Sequence, residues 1–268
     1  MRRTFALLLS LSLPAVAGGQ RDERGRYAEQ LQDPVSNLAH VAFTTDVDMG
    51  SGEQDDYDVA AYVQPQLPLR LTQDFNVIVW TVHPLRSAPP PGPNEDRING
   101  FGDSTVRLLL ARADPHSFRW GIGPAFHVPT ASRRALGASV FGLGGAGTLL
   151  YQGEPWTGGI FLQHLRSVRH GRGMPVLEHS SVQPYAAWIT PSGVSLGLDM
   201  ETTIDWQQPE GSRWRIPIQA TVGQVTTTGE RTINLQLGVR YFLTSPGDGA
   251  DWGVRLQLTL LFPVIPED

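Results

Sequence analysis

Ionisable side chains recur on one polar face of this chain. Asp199, Glu201 and Asp205 occupy one stretch, Arg215 the next, and Arg240 and Arg255 the last two, while Arg107, Arg119 and His127 stand near the middle. Charges gathered on one face can line a water-filled passage and select what enters it, or pair with one another and fill it; the sequence leaves both open. If Leu243 pairs with Trp252 across the final hairpin, Arg240 faces Arg255, and two like charges so placed need acidic partners nearby. Asp46 and Asp48 could serve.

Other chemistry is weaker. His164 with Ser167 or Ser180 could be drawn as a base and nucleophile, but no carboxylate or amide stands at a telling position, so no catalytic residue is expected. The glycines of Gly142-Leu143-Gly144-Gly145-Ala146-Gly147 match a dinucleotide fingerprint, which requires a strand before it and a helix after it. Here a strand end and a turn at Gly153 follow instead, and nucleotide binding is rejected. Seven histidines, at 40, 83, 116, 127, 164, 170 and 179, show no metal-ligand spacing, and there is no cysteine to join them. No metal and no cofactor is expected.

The elements carrying these charges have a strand period. Trp252, Val254, Leu256, Leu258, Leu260 and Phe262 share one face, against Gly253, Arg255, Gln257 and Thr259 on the other, with Leu261 out of step. Ile233, Leu235, Leu237, Val239, Tyr241 and Leu243 alternate with Asn234, Gln236, Gly238 and Arg240. Trp214, Ile216, Ile218, Ala220 and Val222 alternate with Arg215, Gln219, Thr221 and Gly223. Strands of roughly ten residues are long for soluble proteins and suit a tilted bilayer crossing. The apolar face is therefore expected to meet lipid. Backbone groups in hydrocarbon must pair internally, which a sheet achieves only by closing on itself. The expected fold is all-β, an antiparallel transmembrane barrel of about twelve strands. A mean hydropathy of -0.18 fits, because half of each strand would face a polar lumen.

The first residues read as an export signal: Arg2 and Arg3, an apolar stretch from Phe5 to Leu13, and small residues at Ala15 and Ala17, with cleavage after residue 17. Without cysteine there is no lipid-anchor site and no disulfide framework. The 21 basic and 26 acidic residues form no basic patch suited to nucleic acid. Residues 18–36 read as a periplasmic lead-in, with a helical turn at Tyr27 to Gln32; residues 37–263 read as the barrel and 264–268 as a periplasmic tail. Twelve strand candidates follow, at 38–48, 57–69, 74–84, 101–113, 117–129, 138–152, 155–167, 179–190, 193–206, 212–226, 230–244 and 250–263. Their connections alternate short (around Thr72, Pro115, Gly153, Ser192 and Thr228) and long (Gly50–Asp56, Ser87–Gly100, Arg169–Glu178), as expected of periplasmic turns and external loops. Aromatics near strand ends, Phe118, Trp156 and Trp188 by short turns and Trp206, Trp214, Tyr241 and Trp252 by long ones, suggest two interfacial girdles.

Asp33-Pro34-Val35, Val63-Gln64-Pro65, Gly100-Phe101-Gly102-Asp103, Trp120-Gly121-Ile122-Gly123-Pro124, Pro155-Trp156-Thr157-Gly158-Gly159, Gln183-Pro184-Tyr185, Asp205-Trp206, Trp214-Arg215-Ile216-Pro217-Ile218, Ser245-Pro246 and the ending Leu256 to Pro263 succeed one another in the order of a known family. Over residues 33–263 the chain resembles the outer-membrane barrels named for the phenol meta-degradation pathway, some of which are labelled transporter or neuromedin U. The chain departs from that pattern at Gln163-His164, where Asn-His is common, and at Trp80, where a polar lumen residue is expected. The resemblance implies a barrel in the outer membrane of a Gram-negative cell with a presumed transport role. The expected partners are outer-membrane lipid and lipopolysaccharide, the barrel-assembly machinery during biogenesis, and a small-molecule solute that the sequence does not name. The function expected is a passive, porin-like channel or transporter, with no nucleotide site or plug domain visible for energy coupling. The alternative is a structural or surface-interaction barrel with a closed lumen, followed by an outer-membrane hydrolase.

Overall fold

In the computed structural model, residues 22–262 are described apart from 52–55, 91–94, 115, 169–175, 230 and 248. The export signal and the C-terminal tail lie outside the described residues. One helix, α1 (Glu23–Leu31), precedes fourteen strands: β1 (Ala39–Ser51), β2 (Asp56–Arg70), β3 (Phe75–Ala88), β4 (Ile98–Phe101), β5 (Ser104–Arg112), β6 (Phe118–Val128), β7 (Gly142–Gln152), β8 (Trp156–Ser167), β9 (Glu178–Ile189), β10 (Val194–Asp199), β11 (Thr202–Asp205), β12 (Trp214–Thr228), β13 (Arg231–Thr244) and β14 (Trp252–Phe262).

These make twelve staves, because β4 with β5 and β10 with β11 are each one strand interrupted. Asp103 interrupts the first, its carboxylate accepting from the amides of Ala131 (3.0 Å) and Ala138 (2.6 Å) rather than leaving the backbone to the ladder. At Met200–Glu201 the second breaks, where the Met200 amide donates to Pro184 and the Thr202 amide to Met200. Each stave pairs antiparallel with its sequence neighbour, and β1 pairs with β14 from Ala39↔Phe262 to Met49↔Trp252, so the sheet closes on itself. Closure is what satisfies every edge. The twelve expected strands are all present; the sixth, β7, starts at Gly142 rather than 138, after a long connection holding a 3-10 turn at Arg134–Leu136. The Gly142–Gly147 run is strand throughout, paired with β6 and β8, which removes the helix a nucleotide site would need. At Gly144 a Cβ would meet the His164 carbonyl at 1.8 Å, so the missing side chain lets β7 and β8 approach.

The alternation sorts as the period implies. Leu235, Leu237, Val239, Tyr241, Leu243, Trp252, Val254 and Leu256 are exposed on the outer wall, while Asn234, Arg240, Phe242 and Thr259 are buried within. Leu261, out of step in sequence, is buried. Outward aromatics stand at both ends: Phe118, Tyr151 and Trp156 near the short turns, and Trp206, Trp214, Tyr241 and Trp252 near the long connections.

Inside, the wall is of two kinds. Ile78, Leu109, Ala125, Ala146, Leu150, Phe161 and Leu165 of β3 and β5–β8 form a buried apolar cluster. Thr44, Asp46, Asp48, Gln66, Gln219, Asn234, Arg240 and Thr259 are buried on β1, β2 and β12–β14. The lumen is thus apolar along one side and charged along the other, where the sequence reading expected polar side chains all round.

Segment 22–38 enters the short-turn mouth of the barrel rather than trailing from it. Asp22 caps α1, its carboxylate accepting from the amides of Arg24 (2.6 Å) and Gly25 (3.4 Å). Ala28 packs with Ala187, Ile189 and Val225 of the inner wall, flanked by Tyr27 and Leu31. Val35 joins the apolar cluster, and a Cβ on Gly121 would strike its side chain at 2.4 Å, so a glycine makes room for the lead-in. Asn37 donates to the Ala113 carbonyl at 2.8 Å and accepts from Asn76 at 2.7 Å.

Candidate functional site

Above the lead-in the lumen opens into two cavities that share the side chains Gln64, Trp80, Gln183, Glu201 and Arg255. The short-turn chamber, about 220 Å³, is floored by Leu31, Gln32, Asp33 and Pro34 of the lead-in. The long-loop chamber, about 260 Å³, is lined by Asp46, Tyr62, Val82, Arg107, Phe161, Arg215 and Arg240 among others.

Strand period places the charged cluster: Asp46 and Asp48 point inward from β1, Arg240 from β13, Arg255 from β14 and Arg215 from the start of β12. Arg240 donates through Nε and Nη2 to the two oxygens of Asp48, both at 2.7 Å, and through Nη1 to Asp46 at 2.9 Å. Arg255 holds Asp46 through Nε (2.7 Å) and Nη2 (2.8 Å), and Glu201 through Nη1 and Nη2, both 2.9 Å. Arg215 donates to Asp48 at 2.7 Å and lies over the Phe242 ring, 4.6 Å from its centroid. Three arginines meet three carboxylates, so this cluster is electrically balanced and rigid, since planar guanidinium forks fix both partners.

Arg107 differs. Its guanidinium lies 4.3 Å from the Trp80 centroid and 5.2 Å from that of Phe161. Nε donates to Gln163 at 2.5 Å, and Nη1 is buried without a partner. Among the described residues no carboxylate comes within ion-pair distance of it.

Of the nine candidate lining residues, Glu201, Arg215, Arg240, Arg255 and Arg107 line the long-loop chamber. Asp199 lines the other chamber and accepts from Gln219 at 3.0 Å. Three lie elsewhere. Arg119 sits in the mouth, paired with Asp33 at 2.6 Å and donating to the Val35 carbonyl at 3.0 Å. His127 braces the long-loop rim against Asp103 at 3.0 Å. Asp205 ends β11, its carboxylate accepting from Gln207 and Gln208 of the following turn. Alternation alone assigns a face and not a height along the strand, so it does not separate rim and mouth residues from lining ones.

The final register also differs from expectation. Tyr241, not Leu243, pairs with Trp252, which sets Arg240 opposite Gly253 and Arg255 opposite Gly238. The like charges are staggered, and Asp46 and Asp48 take the partner role. Trp80 and Phe161 enter as wall residues that a polar-lumen expectation passes over, although Trp80 breaks the pattern visibly. The cause of Asp33's behaviour is burial: loss of water pushes its carboxyl up to about 6, outweighing the attraction of Arg119.

His164 and Ser180 do meet, with Nδ1 2.8 Å from Oγ on the outer wall. Ser180 Oγ also accepts from Trp206 Nε1 at 2.9 Å, and among the described residues no carboxylate or amide orients the imidazole. Ser167 is buried and does not join them. Nor do three potential metal ligands gather anywhere among the described residues.

No protein-family model and no curated protein sequence matches this chain. Its structure is similar to that of an outer membrane channel from Pseudomonas putida F1, with a TM-score of 0.64 at 14% identity over 86% of this chain and 98% of that one. Outer membrane phospholipase A from Escherichia coli also aligns, over 90% of this chain and 99% of that one, with a TM-score of 0.47 at 10% identity. What the first likeness establishes is the fold, a closed twelve-stave antiparallel barrel of the kind found in outer-membrane proteins.

Proposed function

We propose that this protein is a passive outer-membrane channel or transporter for small molecules in a Gram-negative cell, exported by the signal read in its first seventeen residues. The observation that carries the reading is the pair of chambers inside the barrel that share Gln64, Trp80, Gln183, Glu201 and Arg255. A barrel built only as a scaffold has no need of hydrated space along its axis, whereas a conduit requires it. The exposed apolar band with aromatics at both ends supports lipid contact all round. The ordered motifs from Asp33 to Pro263 support membership of the phenol meta-pathway barrel family, and the Pseudomonas fold neighbour is itself described as a channel.

A second reading, a surface-interaction barrel with a closed lumen, draws support from the lead-in seated in the short-turn mouth. Conductance of the refolded protein in planar bilayers separates the two. We expect discrete single-channel steps. Silence from both the full mature chain and a form lacking residues 18–36 would remove the channel reading and leave the interaction barrel.

A further inference from the structure

Each guanidinium of the charged cluster has its carboxylate, yet the long-loop chamber holds a fourth, Arg107, that does not. Trp80 and Phe161, edge-to-face with centroids 5.3 Å apart, flank that guanidinium on one side, and its N–H groups point outward in its own plane, with bonding capacity left at the edge that Gln163 does not take. A buried N–H without an acceptor is costly, more so on a charged group. The acceptor that matches a guanidinium edge is a carboxylate, two coplanar oxygens against two N–H groups. The same chamber presents Trp80, Val82 and Phe161 beside Arg107, an apolar wall that an inorganic anion cannot use. Its size sets the scale of the occupant: about 260 Å³ falls below the ~300–1,000 Å³ of pockets for drug-sized ligands.

We propose that the long-loop chamber is a binding site for a small organic carboxylate with a flat apolar body, its carboxylate on Arg107 and its body against Trp80, Val82 and Phe161. The far wall complements this. Arg215, Arg240 and Arg255 are held in place by Asp46, Asp48 and Glu201, so they frame the chamber without collapsing onto the ligand. The site stands whether or not the lumen conducts; that its occupant is also carried through rests on the channel reading.

The test is calorimetric titration of the refolded full-length mature chain in detergent micelles with sodium benzoate, sodium acetate and benzyl alcohol. Benzoate should bind saturably at one site, at least about tenfold more tightly than acetate or benzyl alcohol. Arg107→Gln should weaken benzoate by about tenfold or more, with Arg107→Lys retaining part of it, and Trp80→Ala should weaken benzoate but not acetate. Equal binding of benzoate and benzyl alcohol would mean an apolar cavity or micelle partition and would overturn the proposal, as would unchanged benzoate binding by Arg107→Gln. Should that variant fail to refold, the three-ligand comparison on the unaltered chain decides. Benzoate binding without bilayer conductance removes the channel and leaves the site; conductance without benzoate binding does the reverse.

Discussion

Asp46 on β1 lies directly opposite Arg255 on β14, across the seam where the barrel closes, and accepts two hydrogen bonds from it at 2.7 and 2.8 Å. The same carboxylate takes a third from Arg240 at 2.9 Å, so one acidic group ties together the strands on either side of the last ladder to form.

Removing that group takes one of two carboxylate partners from each of two inward-facing guanidinium ions, leaving Arg240 with Asp48 and Arg255 with Glu201. With Asp46 only 1% exposed, Asp46→Ala should destabilise the barrel by about 3 to 5 kcal/mol, the usual cost of breaking a buried pair from one side. Urea unfolding in lipid vesicles reads this. Replacing exposed Asp22 should change far less, and equal effects would deny the seam its role.

Leu256 is 53% exposed on the outer wall while Gln257, its neighbour, lines the short-turn chamber. Leu256→Arg, near the middle of its strand, should cost about 2 to 4 kcal/mol in a bilayer. Cysteines at 256 and 257 should react with a lipid-soluble probe and a water-soluble probe respectively; equal labelling would refute the facing.

Replacing Arg240 and Arg255 together by alanine leaves Asp46 and Glu201 without their forks and Asp48 with Arg215 alone. The charged cluster then turns from balanced to acidic, so ion preference in bilayers should shift toward cations without loss of export. Unaltered selectivity would place these arginines outside the conducting path.

Deleting residues 18–36 removes the floor of the short-turn chamber, and unitary conductance should rise by about twofold or more if conductance follows the narrowest cross-section. A channel unaffected by the deletion conducts around the lead-in rather than past it.

Docking of the lead-in should depend on pH through Asp33, which faces Arg119 on β6, Glu29 on α1 and Tyr185 on β9. Its carboxyl is raised from the ordinary 3.8 to about 6 when docked. The docked state therefore holds its proton more tightly, and docking strengthens as pH falls from above 6 toward 4. Conductance should be lower at pH 5 than at pH 7.5, and Asp33→Asn, though it weakens docking throughout, should flatten the dependence.

Most of the barrel was legible because alternation with a period of two survives wherever one wall meets lipid and the other meets charge, as in β12 to β14. The last hairpin shows the limit. A register slip of two residues leaves every side chain on the same face, so the pattern could not choose between Leu243 and Tyr241 as the partner of Trp252; hydrogen bonds from Phe242 to Asp251 and from Asp251 to Met49 make that choice. The apolar wall of the lumen left a trace that went unused. Leu108-Leu109-Leu110-Ala111 and Leu149-Leu150 are apolar on both faces, the mark of strands buried from two sides. The lead-in's role was carried by Ala28, Leu31 and Val35, a spacing too short to distinguish from chance without the cluster they enter. Arg107 was named from its face alone; its solitude follows from the positions of Asp46, Asp48 and Glu201, which only folding brings together.

The lead-in and the strand that closes the barrel are one continuous stretch, with Asn37 tied to the mouth and Ala39 already in the ladder opposite Phe262. That ladder joins the two ends of the chain, the least local pairing in the molecule, so loop-closure entropy makes it the last to form. Until then an open sheet lies with two edges unmated, β1 and β14, and its inner surface accessible from the side. The stopper can thus be laid into the half-built cylinder instead of being threaded through a finished mouth. Translation order and mechanical order run in opposite senses: the residues made first are among the last to be secured.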